Sequence, residues 1–315
     1  LPEQLHDAVV KAKVMSKGAL KRQIGFIGGL IAKLDYERIQ QDYERLRKRG
    51  ARPHLTIGPW HHTDTGLGAA TIEAGMDWFG ATLKRNGGGV RTKAVRVWLL
   101  GARRWLDLED WPPPSELINL YLAPRGSLSP QIVPHAEMAS TYRYHPGEPT
   151  PSTGGAVINP RPGRRDQSRI EAREDVLVFT SEILEHGLDV IGTPGVQLYA
   201  ASSVSNRDYV ARLCDVDERG RSTNITEGIH RHAGCRGETE LVRIDLWPTA
   251  YHFKPRHRIR LHITGAAHPR WGRNLGSAEP YPEAVNLSVS EQAIFHDSAR
   301  PSCLELPVYN QPAGV

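Results

Sequence analysis

The feature that most limits the fold of this chain is a succession of short apolar runs that begins after Gly87-Gly88-Gly89. The runs are 95–100, 117–122, 176–180, 196–201, 209–216, 241–247, 257–264, 285–289 and 303–308. No sustained helical period separates them, and glycine and proline are common in the turns between them. Short strands without helical crossovers are typical of antiparallel sandwiches and jelly rolls. The pattern predicts a mainly β fold in which the residues after the triple glycine form an antiparallel sandwich or jelly roll.

Two stretches of this region carry more detailed predictions. In residues 258–263, Ile259, Leu261 and Ile263 alternate with polar residues, which predicts a strand with one buried face and one polar face. Residues 144–173 are polar and rich in proline, glycine and arginine, and they are too many for a hairpin turn. We therefore expect residues 144–173 to be a long surface connection.

Helical periodicity is confined to the first part of the chain. Apolar residues recur at helical spacing between Leu34 and Leu46, and again over residues 68–85, where Asn86-Gly87 ends the pattern. A short strand at 54–57 lies between the two helices. The order helix, strand, loop, helix is that of an α/β unit, so the sequence predicts two domains, residues 1–88 and residues 89–315.

Two histidines follow the short strand, in Ile57-Gly58-Pro59-Trp60-His61-His62. Gly58-Pro59 ends the strand because proline fixes φ and cannot donate a ladder hydrogen bond. A loop at a strand end exposes a side chain while the sheet holds its backbone, which suits a catalytic base. A histidine in a polar loop is more often simply solvated, so these residues leave both interpretations open.

Composition excludes several classes of function. The chain has 40 basic and 35 acidic residues, and its basic clusters at 45–49 and 161–165 are typical of solvated faces, so no nucleic-acid partner is expected. Three cysteines are an odd number for a disulfide framework. No apolar run is long enough to span a membrane and no signal peptide opens the chain, so we expect a cytoplasmic protein without a membrane partner. The start at Leu1 leaves open that further residues precede it.

The sequence gives no clear cofactor or metal motif. Gly25-Phe26-Ile27-Gly28-Gly29 lacks the Gly-x-Gly-x-x-Gly spacing of a dinucleotide site. His230-x-His232-x-x-Cys235 offers zinc-ligand chemistry at a spacing that fits no usual zinc site. We therefore expect neither a cofactor nor a metal.

A nucleophile to match the histidines is also missing. An α/β-hydrolase places its serine on a Gly-x-Ser-x-Gly elbow, ahead of the acid and then the histidine. Between Leu1 and His62 the only serine is Ser16, and there is no cysteine. Ser16 does not follow a predicted strand and is not flanked by a pair of glycines, so it does not have the features of such an elbow. If His62 is a base, this chain contains no nucleophile for it.

Several segments together resemble the CocE/NonD hydrolases, a family of serine hydrolases similar to cocaine esterase and X-Pro dipeptidyl-peptidase. Residues 55–62 resemble the family's Gly-Pro-Trp-x-His loop, which implies that His62, rather than His61, is the triad base. Further similar segments follow in the same order at 76–79, 104–105, 111–114, 149–155, 173–181, 211–216, 224–229, 244–249 and 269–274. The resemblance implies a partial α/β-hydrolase segment followed by a galactose-binding-like jelly roll, the X-Pro dipeptidyl-peptidase C-terminal domain, which packs on the hydrolase and helps shape its substrate pocket.

The chain departs from the family at two members of the triad. Nothing corresponds to the family's Gly-x-Ser-Tyr-x-Gly elbow. The family's acid lies in a Gly-Trp-x-Asp motif, whose nearest counterpart is Gly28-Gly29-Leu30-Ile31-Ala32-Lys33, so an aspartate is missing there. Asp35 is the nearest candidate acid, although it is displaced by two or three residues.

Two hypotheses of function follow from the sequence. In the first, the chain is the C-terminal portion of a serine hydrolase for esters or X-Pro peptides, incompetent alone, and its partner is an N-terminal hydrolase half. In the second, the jelly roll is a non-catalytic module that binds carbohydrate, peptide or a partner protein. Under either hypothesis, we expect residues 90–315 to be the stable unit.

Overall fold

The structure, a computed structural model, describes residues 7, 11, 53–62, 64–83, 91–132, 134, 139–158, 161–279, 281 and 283–310. These residues divide into two compact units. One contains the described residues up to Trp98 together with Trp105–Trp111, and the other contains Leu99–Arg104 and the residues from Pro112 onward. The helix predicted between Leu34 and Leu46, and the glycine-rich segment 25–29, lie outside the described residues.

A β-α-β arrangement opens the described fold. Strand β1 (Leu55–Ile57) is followed by helix α1 (Thr65–Leu83), and then by β2 (Val95–Leu99) and β3 (Arg104–Leu108). The three strands form a sheet in the order β1-β2-β3, and β1 and β2 are parallel. Parallel neighbours need a long crossover, which α1 supplies.

Helix α1 begins earlier than the apolar periodicity predicts. The Asp64 carboxylate accepts a hydrogen bond from the backbone N–H of Gly66 at 2.8 Å. A carboxylate in this position satisfies one of the unpaired N–H groups in the first helical turn. Asp64 therefore acts as the N-cap, and the helix starts at Thr65 instead of residue 68.

Thirteen strands form the second sheet system, together with a 3₁₀ turn (Pro124–Gly126) and a short helix, α2 (Ser168–Glu171). The strands are β4 (Glu116–Ala123), β5 (Ser127–Ser129), β6 (Ala139–Tyr144), β7 (Val176–Ser181), β8 (Leu188–Gly192), β9 (Gly195–Ser202), β10 (Asn206–Val216), β11 (Ser222–Ala233), β12 (Glu240–Asp245), β13 (Thr249–Phe253), β14 (Arg258–Thr264), β15 (Ser290–Phe295) and β16 (Cys303–Val308). Their main path is β11-β10-β14-β7-β5-β4-β16-β9-β15-β6. Off this path, β12 pairs with β9, and β8 pairs with β13 and β16.

One hydrophobic cluster lies at the centre of these strands. Fully buried side chains from several strands meet in it, among them Leu198, Leu213, Phe253, Ile263 and Leu304. Strand β9 alternates between buried and partly buried residues, while every residue of β10 after its first is buried. The predictions of a mainly β fold and of a C-terminal β-sandwich are confirmed.

The strand predicted at 285–289 is wrong. Val285 is 79% exposed, and its backbone N–H donates to the Glu279 carboxylate at 2.8 Å, as does the backbone N–H of Asn286 at 3.1 Å. The side chain of Asn286 donates to the same carboxylate. These bonds hold the segment as a loop, and the strand follows it at Ser290–Phe295.

The surface connection predicted at 144–173 is wrong in part, because two of its polar residues are fully buried. The Thr150 hydroxyl donates to Asp175 Oδ2 at 2.7 Å. Gln167 Nε2 donates to the carbonyl oxygens of Thr153 and Arg165, at 3.1 and 3.0 Å. Both side chains have zero exposure because these bonds replace water. The segment is therefore anchored to the sandwich at these two points.

Candidate functional site

His62 lies in the turn that joins the end of β1 to the start of α1. Both His61 and His62 are exposed. Within the part of the chain that the structure describes, His62 makes no hydrogen bond. Its backbone is held by short-range contacts, since the N–H of Asp64 donates to the carbonyl oxygen of His61 at 3.0 Å. The histidine is therefore presented on a defined turn with its ring accessible.

Trp60 anchors this turn from one side. Its six-membered ring lies directly against the backbone of Gly58, where an added Cβ would overlap it. On the opposite side of the turn, a Cβ at Gly66 would lie 3.3 Å from Trp60 Nε1. Trp60 also contacts Trp105 of β3, with ring centroids 5.8 Å apart and planes inclined at 49°. The glycines make room for the indole, and the indole ties the histidine turn to the sheet.

An open cavity of about 620 Å³ lies beside Trp60. It is lined by residues from β1, α1, β2 and β3, from the segments on either side of β1 and from the segment before β2: Pro53, His54, Thr56, Trp60, Ala70, Glu73, Ala74, Gly75, Asp77, Trp78, Arg91, Arg96 and Trp105. His61 and His62 are not among these residues. The sequence did not predict the cavity, because its walls come from four separate elements.

The sheet side of the cavity is basic. Arg96 binds Asp107 through two hydrogen bonds, of 2.7 and 2.8 Å, and this pairing lowers the pKa of Asp107. Arg91 donates a long hydrogen bond of 3.4 Å to the carbonyl oxygen of Leu55. Partial burial and the neighbouring Arg96 lower the pKa of Arg91. Burial and the charge of Arg91 lower the pKa of His54 in turn.

The candidate acid, Asp35, lies outside the described residues, as does Ser16, so His62 is the one predicted triad residue that the described part of the chain contains. Other imidazole–carboxylate pairs do occur, all within the sandwich. His257 Nδ1 lies 2.8 Å from Asp215 Oδ1, and His252 Nδ1 lies 2.6 Å from Asp189 Oδ1. The sequence did not reveal these pairs, because each joins residues of different strands or loops.

The two histidines of the candidate zinc motif, His230 and His232, contact each other and a carboxylate. His230 Nε2 lies 3.3 Å from His232 Nδ1, and His232 Nε2 lies 3.1 Å from Glu240 Oε2. Glu240 also pairs with Arg207, while Cys235 is exposed. Among the described residues, no group of three or more metal-ligating side chains is placed to hold an ion. The described helices likewise include none with both the length and the apolar character to cross a membrane.

Two family profiles match different parts of the chain. Residues 87–305 match the profile of the X-Pro dipeptidyl-peptidase C-terminal non-catalytic domain. Residues 1–65 match a second profile, that of the dual-action ribosomal maturation protein DarP. Asp35 and His62 both lie within this second match.

Full-length relatives match most of the chain. Cocaine esterase of Rhodococcus sp. (strain MB1 Bresler) is 29% identical over 299 residues, which cover 83% of this chain and 52% of the esterase. An α-amino acid ester hydrolase superimposes with a TM-score of 0.74 at 22% identity, covering 84% of this chain and 52% of that one. A CocE/NonD family hydrolase from Staphylococcus aureus gives a TM-score of 0.61 at 14% identity, covering 82% and 49%.

The chain thus spans about half the length of the relatives it matches. A share of 83% is too large to lie within residues 87–315, so the similarity to cocaine esterase includes residues before 87. The domain profile alone covers more than half of the chain. The chain therefore belongs to the X-Pro dipeptidyl-peptidase C-terminal domain family, and it corresponds to the C-terminal part of a CocE/NonD-type hydrolase.

Proposed function

We propose that this chain supplies the C-terminal portion, and the catalytic base His62, of a serine hydrolase that acts on esters or X-Pro peptides. The observation that carries the proposal is the Gly-Pro-Trp-x-His turn, in which His62 is exposed, in a chain that also contains a domain of the hydrolase family. The name of one relative, cocaine esterase, supports ester substrates, and the description of the matched domain supports X-Pro peptides.

The chemistry of a serine triad determines what else is needed. The base removes the proton of the serine hydroxyl during attack and later returns a proton to the leaving group. A carboxylate holds the imidazole in the correct tautomer, and backbone N–H groups stabilise the oxyanion. His62 provides only the first of these functions. Alone, the chain is a very poor hydrolase, and its partner is an N-terminal hydrolase half that carries the serine elbow.

Asp35 is the acid that the chain itself offers. It lies in the region that also matches the ribosomal maturation profile. An acid contributed by the partner half is the competing possibility. Asp35→Asn separates the two, because it abolishes turnover of the reconstituted enzyme only if Asp35 orients His62.

A second function is favoured by the description of the matched domain as non-catalytic. In this alternative, the galactose-binding-like sandwich binds a carbohydrate, a peptide or a partner protein without chemistry. Trp247, which is 51% exposed, is an aromatic platform suited to such a ligand. We expect a cytoplasmic location under both alternatives, because Cys214, Cys235 and Cys303 are all free thiols and thiols stay reduced in the cytoplasm.

The test is a complementation assay. The purified chain is incubated with a chromogenic acyl ester and with an X-Pro arylamide, alone and mixed with the N-terminal half of a full-length relative. We expect turnover only in the mixture, and loss of that turnover on His62→Ala. His61→Ala is the matched control, because it removes the neighbouring exposed imidazole, and it should retain activity. If the mixture turned over neither substrate, the result would favour the binding module.

A further inference from the structure

One buried cluster of the sandwich contains more positive than negative charge. Arg212 of β10 and Arg270, in the segment after β14, share a single carboxylate, that of Glu227 on β11. The side chains of Arg212, Arg270 and Glu227 are only 1%, 5% and 3% exposed. Arg212 Nε donates to Glu227 Oε2 at 2.6 Å, and Arg270 Nη1 lies 3.0 Å from Glu227 Oε1. Two guanidinium groups and one carboxylate leave one buried positive charge in excess.

The neighbouring ionisable groups leave this excess in place. Arg260 donates to Glu171 at 2.7 Å, so these two charges compensate each other. His262 Nε2 lies 2.8 Å from the same carboxylate, and burial lowers the pKa of this imidazole, so it supplies no negative charge. An arginine stays protonated in proteins, and a buried charge requires a compensating partner. Full compensation therefore requires an anion that the cluster does not itself contain.

Both guanidinium groups also have N–H donors without an acceptor. Within the part of the chain that the structure describes, Arg212 Nη2 and Arg270 Nη1 are buried and make no hydrogen bond. Arg270 Nη1 is close enough to Glu227 for electrostatic attraction, but its N–H groups are not aligned with the carboxylate. The other terminal nitrogen of Arg212, Nη1, is occupied by Gln167 Oε1 at 3.2 Å. Buried donors are rarely left unpaired, so the cluster lacks an acceptor as well as a charge.

The surroundings of Arg270 limit the size of that acceptor and its direction of approach. Arg270 Cζ lies 4.7 Å from the ring centroid of Trp247 and 4.7 Å from that of Trp271. The indole rings cover the guanidinium and attract it, but its N–H groups point outward in its own plane. Gly155, at φ +86°, lies against the same group, since a Cβ there would be 2.7 Å from Arg270 Nη1. A small acceptor in the guanidinium plane suits this enclosed position.

We propose that Arg212, Arg270 and Glu227 bind one small monovalent anion, such as chloride, in contact with Arg212 Nη2 and Arg270 Nη1. Burial, opposed by Glu227, lowers the pKa of Arg270, and the charge of Arg212 lowers it further. The two guanidinium groups are thus close enough for one ion to contact both. A neutral ligand would satisfy the donors but leave the charge, and a multivalent anion would exceed it. The anion stabilises the sandwich whether or not the chain supports hydrolysis.

Thermal unfolding of the intact chain in matched sodium salts tests the proposal. Chloride or bromide replaces gluconate stepwise, at constant sodium concentration and ionic strength, so that general screening stays the same. Only the folded state contains the site, so the midpoint should rise by about 5–10 °C once chloride reaches about a hundredfold excess over its dissociation constant. Bromide should act similarly. Equal midpoints in chloride, bromide and gluconate would overturn the proposal.

Variants connect the response to the cluster. Arg270→Met keeps a long apolar side chain against the tryptophans and leaves the Arg212–Glu227 pair balanced, so it should fold and lose the chloride response. Glu227→Gln raises the excess charge and should increase the response. Arg143→Gln is the matched control, because it removes one positive charge from a side chain that is 69% exposed, and it should keep the full response. A response that survives Arg270→Met, or is lost in Arg143→Gln, contradicts the site.

Crystals of the unaltered chain grown in bromide give a test that does not depend on the folding of any variant. Anomalous scattering should place a bromide ion within hydrogen-bonding distance of Arg212 Nη2 and Arg270 Nη1. Bromide peaks confined to the protein surface, with none at the cluster, would overturn the proposal.

Discussion

Glycine is required at residue 58 because the side chain of Trp60 covers it. The backbone of Gly58 is not in the left-handed conformation that favours glycine at other positions. The Trp60 ring occupies the space that any Cβ at residue 58 would need. The same ring contacts Trp105 and forms part of the cavity wall. One glycine thereby determines the position of the indole that holds the histidine turn and lines the cavity.

We predict opposite effects for two glycine-to-alanine changes. Gly58→Ala should displace the Trp60 ring and destabilise the compact unit that contains Trp60 by about 1–3 kcal/mol, as overpacking usually does. Gly75→Ala adds a methyl group where nothing lies within 4 Å on helix α1, so it should stabilise by about 0.5–1 kcal/mol. Denaturation followed by tryptophan fluorescence measures both. A neutral Gly58→Ala would mean that Trp60 is not held as described.

Glu227 is a buried carboxylate shared by two arginines. Its Oε2 accepts a hydrogen bond from Arg212 Nε at 2.6 Å, and its Oε1 lies 3.0 Å from Arg270 Nη1. Arg212 and Glu227 are almost entirely buried, and Arg270 lies between the rings of Trp247 and Trp271. Removing the single negative charge would leave two guanidinium groups without compensation.

Glu227→Gln, which keeps the shape and removes the charge, should lower the free energy of unfolding by about 3–5 kcal/mol, the usual cost of breaking a buried ion pair. The control is Glu291→Gln, since that side chain is 67% exposed and its pair with Arg143 is long, at 3.6 Å. The control should change stability by less than about 0.5 kcal/mol. Urea midpoints measure both variants, and equal midpoints would show that the buried pair is not needed.

At the scale of the element, strand β14 shows how far alternation predicts burial. Ile259, Leu261 and Ile263 are buried as the pattern predicts, but His262, on the opposite face, is fully buried as well. Its Nε2 lies 2.8 Å from Glu171 Oε1, in the short helix α2 that covers this face. The sequence could not show this, because the helix that covers the strand is about ninety residues earlier in the chain.

Burial gives His262 a pH-dependent role in stability. Desolvation lowers its pKa from the usual 6.5, while the hydrogen bond to Glu171 opposes the shift. As the pH falls below about 6.5, His262 is protonated in the unfolded chain before it is protonated in the folded protein. This difference lowers the free energy of unfolding until the pH reaches the lower pKa of the folded state. His262→Gln should reduce the loss of stability between pH 7 and pH 5 by up to about 1.4 kcal/mol per pH unit. Urea midpoints across that range measure the slope, and unchanged slopes would contradict this role.

Missed strands and misassigned segments have one cause in common. Strand β11 is rich in polar residues, several of which are buried because partners from other segments bind them, whereas the buried residues of the equally polar β6 are its two tyrosines. Asn224, for example, accepts the Arg165 N–H at 2.7 Å. Conversely, residues 285–289 are apolar enough for a strand but are held in a loop by Glu279. Apolar alternation predicts half-buried strands, whereas polar burial depends on contacts between segments far apart in sequence.

At the scale of the whole molecule, the sequence predicted the sandwich and the histidine turn but not the cavity. The turn is a local feature, defined by Gly58-Pro59 and the start of α1. The cavity requires the parallel pairing of β1 and β2 around α1, together with the approach of Trp105. These are long-range contacts, and no short motif encodes them.

We predict that limited proteolysis leaves residues 90–315 as the resistant core. The sandwich has a large hydrophobic cluster of its own, whereas α1 has no fully buried residue among those whose side chains are described. A segment with few buried contacts opens and is cleaved more readily. Mass spectrometry of the protected fragment identifies its ends. A protected fragment that contained residues 1–88, with the sandwich digested, would be the opposite result.

The most direct test of the central proposal is chemical rescue of His62. In the mixture with an N-terminal hydrolase half, His62→Ala should lose ester turnover, and added imidazole should restore a measurable part of it, because the small base can occupy the vacated space beside the serine. His61→Ala should keep its turnover and gain nothing from imidazole. Loss of turnover in His61→Ala, or a His62→Ala mixture that remains active without imidazole, would contradict the assignment of His62 as the base.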